Sequence, residues 1–119
     1  MAGRGPAPKH PSARARRNTV GALRSLGPVD SSQPELPDSI PWPDATIAWW
    51  DMWGSSPQSA EFGPTDWSFL METALLHADV WSGNLDRLAE LRIRVAKFGA
   101  TPEDRARLKI QYAQAEVAD

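Results

Sequence analysis

Cysteine is absent from the 119 residues, which removes disulfides and thiolate metal sites together and agrees with a cytoplasmic protein. Long apolar runs are missing too. Nothing approaches the roughly 20 residues of a membrane span, and no apolar stretch of signal-peptide length follows the positive N-terminus. A soluble, intracellular protein without membrane partners is the expectation. No segment alternates as a strand does, and no internal repeat is present. The two histidines, His10 and His77, have no second histidine or carboxylate at metal-ligand spacing, so no metal or other cofactor is expected and His77 reads as a partly exposed structural side chain. Gly3-Arg4-Gly5-Pro6 lacks both the Gly-Lys-Ser/Thr ending and the preceding strand of a phosphate loop. With no nucleophile-base pattern, and acids that are scattered or explained by helix dipoles as at Glu103-Asp104, the chain does not read as an enzyme.

Acids are missing from the first 29 residues, which hold Arg4, Lys9, Arg14, Arg16, Arg17 and Arg24. The other ninety residues carry seven basic side chains against fifteen acids. The overall charge of −2 therefore averages a strongly basic arm and an acidic body. Clustered Arg and Lys release counterions from phosphates without needing a fixed fold, so these six residues are the candidate nucleic-acid contacts. A solvated basic terminus without a specific ligand is the alternative.

Eight of the eleven prolines fall between Met1 and Pro43, a stretch with little apolar periodicity that reads as a disordered or extended tail and linker. Beyond it, residues 44–119 read as a helical oligomerisation domain. The fold class is all-α: about four short helices behind a disordered basic tail. The first helix runs from Asp44 to Trp53, with Pro43 at its start, Gly54 past its end, and Ala45, Ala48, Trp49, Met52 and Trp53 on one face. Thr65 or Asp66 caps the second, which ends near Trp81 before Ser82-Gly83-Asn84. The third spans Leu85 to Phe98 and stops at Gly99. Thr101-Pro102-Glu103-Asp104 opens the fourth with a cap, a first-position proline and two first-turn acids, and its pattern continues to about Glu116.

The later helices look apolar on two sides. In the second, Trp67, Leu70, Met71, Ala74, Ala78 and Trp81 oppose Phe69, Leu76 and Val80. In the third, Leu88, Leu91, Val95 and Phe98 oppose Leu85, Ala89, Ile93 and Ala96. In the fourth, Ala106, Ile110, Ala113 and Val117 oppose Leu108, Tyr112 and Ala115. A four-helix domain of this size has no inner layer in which to bury both faces, so some of this surface is expected to meet another chain. The alternative is that the second stripes are thick edges of one core. Phe69, Leu76, Val80, Leu108 and Tyr112 are thus candidate oligomer or partner contacts. Trp42 and Trp50 join them, because they fall at the linker edge and off the main stripe of the first helix.

Two stretches together resemble a known family. Val95-Ala96-Lys97-Phe98-Gly99-Ala100-Thr101-Pro102-Glu103-Asp104-Arg105-Ala106-Arg107-Leu108 is similar to the Gly-x-Thr-Pro-x-x-Arg-x-Arg-Leu segment near the C-terminus of bacteriophage terminase small subunits, particularly those of tailed phages infecting actinobacteria. Gly3-Arg4-Gly5-Pro6-Ala7-Pro8-Lys9 and the Arg-rich run to Asn18 resemble that family's basic N-terminus. The resemblance implies a non-enzymatic packaging factor of the host cytoplasm that assembles into homo-oligomeric rings, binds double-stranded viral DNA and regulates the large terminase subunit, an ATPase and nuclease. It also marks Arg105 and Arg107 as motif positions: pairing across a subunit boundary, lining a ring channel, or solvated. Many members carry an N-terminal helix-turn-helix, which this proline-rich tail is too sparse to form. A helical adaptor that docks a protein partner without binding DNA is the competing reading, and an RNA-binding factor is the third.

Overall fold

The computed structural model describes residues 24–27 and 32–113. Its elements are α1 (Asp44–Ser55), a 3-10 turn (Pro57–Glu61), α2 (Pro64–Trp81), a second 3-10 turn (Leu85–Arg87) leading into α3 (Leu88–Ala96), and α4 (Pro102–Arg107). No strand occurs among the described residues. The three prolines beyond Pro43 each stand at the start of one of these elements, where the missing N–H costs no hydrogen bond and the fixed φ suits a helix. Gly83 closes α2 at φ +112°: its N–H reaches Val80 O at 3.0 Å and the Asn84 N–H reaches Asp79 O at 3.0 Å, the double bond of a Schellman turn.

Aromatic rings build the core. Trp50, Trp53, Phe62, Trp67, Leu70 and Ala74 are buried together, with Leu36, Trp42, Trp49, Met71, Val95 and Phe98 packed around them. Trp50 meets Trp67 at a centroid distance of 5.5 Å, and Phe62 meets Trp67 at 5.1 Å and Phe98 at 5.3 Å, all near edge-to-face. Each such ring removes an area from water that aliphatic side chains would need greater numbers to match, which suits a body this small.

α2 is the inner layer that the sequence reading denied such a domain. It packs on α1 through Trp67 and His77 and on α3 through Phe69, whose ring lies 5.5 Å from that of Phe98. Its two apolar stripes therefore both find partners within one chain, leaving Phe69, Leu76 and Val80 half-buried. Trp81, placed on the core stripe by periodicity, is 64% exposed instead. On α3 the first stripe packs inward around buried Leu91, while Leu85, Ala89 and Ile93 remain exposed.

α1 turns differently from the sequence expectation. Thr46, Trp50 and Trp53 form its buried side, and Ala48 and Met52 are exposed. The cause is the segment before it. The Gln33 side-chain amide donates to Trp50 O at 2.7 Å, and the Trp50 indole N–H donates to Pro34 O at 2.9 Å. Residues 33–43, irregular with a turn at 38–40, thus lie against the body and cover Trp50 rather than standing off as tail.

α4 stops at Arg107 instead of running to Glu116. Lys109 adopts φ 60°, its N–H bonds Ala106 O at 3.1 Å, and the Ile110 N–H bonds Arg105 O at 2.8 Å, a Schellman turn made without glycine. The opposed stripes read for a fourth helix thus do not form over residues 110–113. Residues 114–119, including Ala115 and Val117, lie outside the described residues.

Candidate nucleic-acid and protein interfaces

The basic arm contributes one described side chain. Arg24 is exposed, in an extended stretch with Leu26, whereas Arg4, Lys9, Arg14, Arg16 and Arg17 lie outside the described residues. The body divides sharply by charge. From Ser25 to Asp86 there is no Lys or Arg against ten Asp and Glu, and all seven basic side chains of the body fall between Arg87 and Lys109. The α1–α2 half thus contributes only acidic charge of its own, and the body's positive charge lies on the segment from Arg87 through α3–α4.

Most cations of α3–α4 are engaged locally. Arg87 pairs with Asp79 at 3.3 Å, Arg94 with Glu90 at 3.0 Å, and Arg107 with Asp104 at 3.3 Å. Arg94 also lies over the Phe69 ring at 5.3 Å. Exposed pairs of this kind add little stability, but they occupy charge that would otherwise meet a partner. Arg92, Lys97 and Lys109 have no acidic partner among the described residues.

The Gly-x-Thr-Pro-x-x-Arg segment is a local folding device. Gly99 sits at φ +79°, and a Cβ there would come within 2.9 Å of Arg105 Cγ and 3.2 Å of Ile110 Cδ1. Thr101 Oγ1 accepts the Asp104 N–H at 3.1 Å while Asp104 Oδ2 accepts the Thr101 N–H at 3.2 Å, a complete capping box. Arg105 reaches back to donate to Gly99 O at 2.9 Å and covers the Tyr112 ring at 4.6 Å. Within the chain, Arg105 is half-buried and braces the α3–α4 turn. Arg107 stays largely exposed beside Asp104.

The proposed contact residues separate by burial. Trp50, only 3% exposed, is a core residue, so the surface expected for it is withdrawn. Trp42 is half-buried against the core, with its indole N–H donating to Pro37 O at 2.9 Å. Tyr112 is exposed at its edge, but its hydroxyl donates to Gln58 Oε1 at 3.0 Å, while the Gln58 amide donates to Phe98 O and Gly99 O. Leu108 is exposed. Exposed apolar residues that the site reading passed over are Ile47, Met52, Leu75, Trp81, Leu85 and Ile93. For Leu85 and Ile93 the signal was the second stripe of the third helix.

His77 is buried rather than partly exposed. Its ring lies between Trp49, at 4.7 Å, and Trp81, at 6.1 Å, and its Nδ1 shares a hydrogen bond of 2.8 Å with Thr46 Oγ1. Burial lowers its pKa from the ordinary 6.5. No group of three or more His, Cys, Asp or Glu gathers at metal-binding distance among the described residues, and no helix among them is long and apolar enough to cross a membrane. A family model described as phage terminase small subunit matches residues 3–119. No curated protein and no solved structure matches the chain.

Proposed function

The chain belongs to the phage terminase small subunit family, and from that premise we propose that it is a non-catalytic packaging factor, of the type found in tailed phages of actinobacteria, acting in the host cytoplasm. Its basic arm grips duplex genome DNA. Its helical body oligomerises as a ring, displays several arms at once, and recruits and regulates the large terminase subunit. Repeated arms raise effective concentration without any new contact, which makes individually weak phosphate binding useful.

The observation that carries this reading is the partition of charge. Six basic residues and no acid precede Asp30, and no Lys or Arg follows until Arg87. A polyanion is thereby directed to the arm and away from α1–α2, whose acidic surface with exposed Met52 and Trp81 suits protein partners. That acidic surface also favours the second reading, a helical adaptor that binds no DNA.

Binding of the full-length protein to duplex DNA across a salt series separates the two. If five arm charges touch phosphates, log affinity falls against log salt with a slope of about −4.5 per arm. Replacing Arg14, Arg16 and Arg17 with Gln in the full chain should reduce that slope by about 2.7. Salt-insensitive binding, or binding indifferent to these substitutions, overturns the packaging reading and leaves the adaptor.

A further inference from the structure

α1 and α3 pack on opposite stripes of α2, and the faces they turn outward carry opposite charge. On α1 the exposed positions Asp44, Ile47, Ala48, Asp51 and Met52 follow helical spacing along the side away from Trp50. Ile47 and Met52 are 43% and 54% exposed, and neither Asp44 nor Asp51 has an ion-pair partner among the described residues. Beside this face the 33–42 segment forms a groove of about 430 Å³ that adds Glu35 and Asp38 and contains no cation. On the other flank, Leu85, Ala89 and Ile93 make an exposed apolar stripe, with Leu85 at 68% and Ile93 at 58%. At 100° per residue, Arg92 and Lys97 fall on its two sides. Both cations are free of acids because Arg87 and Arg94 already hold Asp79 and Glu90. Asp86 stands against them, leaving the face net positive.

We propose that these two faces are the halves of one interface, with the α3 face of one copy docking on the acidic α1 face of the next. The proposal rests on the oligomeric part of the functional reading and specifies how the copies meet. Pairing α1 faces with each other would bring Asp44 and Asp51 of two copies together, a like-charge contact that suppresses association. Pairing α1 with α3 covers both apolar stripes at once and joins free carboxylates to free cations. The chain's own arm is the other source of positive charge, but an arm on the α1 face leaves Leu85 and Ile93 in water. Because the paired faces differ, the contact is heterologous: an open assembly keeps one unused face of each kind at its two ends, and copies add in one direction until the rotation closes a ring.

The test uses two full-length charge-reversed variants at exposed positions, one with Glu35→Lys, Asp38→Lys and Asp51→Lys, which turns the α1 face positive, and one with Arg92→Glu and Lys97→Glu, with folding checked by circular dichroism. Native mass spectrometry and sedimentation without DNA read the assembly. Each variant alone should self-associate on the order of tenfold or more weakly, since like charges then face each other. An equimolar mixture should recover association between the two variants to within about threefold of wild-type strength, because each contact between unlike variants is again between opposite charges. Assembly of either variant at wild-type strength, or no recovery on mixing, overturns the proposal. The Arg14, Arg16 and Arg17→Gln chain should assemble as the wild type does; its collapse would put the arm on the acidic face and overturn the proposal. A monomeric wild type removes the oligomeric reading of function together with this one. A wild-type oligomer indifferent to the reversals removes this one alone.

Discussion

α2 buries Trp67, Leu70, Thr73, Ala74 and His77 along eighteen residues, whereas α4 buries Asp104 alone along six. One helix is held from the side and the other from its ends. α2 has no complete side-chain capping box, since Gly63 has no side chain to offer; Asp66 accepts the Gly63 N–H at 2.9 Å, and packing supplies the rest. α4 has too little apolar contact to persist by burial and is far below the length at which an isolated helix is stable. It persists because Thr101, Pro102 and Asp104 satisfy its start, Lys109 and Ile110 its end, and Arg105 ties it to Gly99. The two modes answer to different perturbations: truncation in the core for α2, backbone geometry for α4.

Leu70→Ala should have the largest effect. Leu70 is wholly buried, and a cavity at such a position costs about 3 kcal/mol, a large share of the stability of a body this small. Chemical denaturation followed by tryptophan fluorescence should show a reduced midpoint for the whole body; an unchanged midpoint would mean that the aromatic core is not what holds it. Gly99→Ala comes next. It forces a Cβ into the left-handed region and against Arg105, at a cost of roughly 1–2 kcal/mol. Hydrogen exchange should rise first in residues 100–112, sparing α2. Equal loss of protection in both regions would erase the distinction between them.

The smallest effect is the response to pH. The His77 pKa is lowered in the folded state by burial, so the unfolded chain binds more protons between the lowered value and 6.5. Stability from this group is fully present above 6.5 and is lost as pH falls from there toward the folded value. Titration of the His77 ring by NMR should place its midpoint below 6.5, and a His77→Gln chain should lose this part of the acid dependence. A midpoint at or above 6.5 would put His77 in solvent and break its stack between Trp49 and Trp81.

What could be read from the chain was whatever neighbours in sequence decide. The start of α4 lies in Thr101-Pro102-Glu103-Asp104, the end of α2 in Ser82-Gly83-Asn84, and the helical class in the absence of any alternating stretch. The end of α4 was hidden because Lys109 carries no glycine-like signature for φ 60°; the turn is held by Arg105 and Ile110. Trp50 was misplaced because what covers it, Gln33 and Pro34, lies far back in the chain. The central place of α2 depends on two different helices closing over it. Of the candidate sites, the arm rests on composition alone, and Arg4, Lys9, Arg14, Arg16 and Arg17 lie outside the described residues. The role of Arg105 was not legible, because Gly99 O and the Tyr112 ring meet it only after the chain turns twice.

The reciprocal bonds between Gln33 and Trp50, and between Trp50 and Pro34, moor the chain to the body at residues 33–34. Fifteen residues lie between Arg17 and Gln33, so covalent geometry caps the distance between their Cα atoms at about 58 Å. Under the proposed DNA-binding role, that distance corresponds to about 17 base pairs of duplex at 3.4 Å each. Lengthening the segment between Arg17 and Gln33 would widen that radius but dilute the arm within it, whereas loosening Trp50 would release the mooring itself.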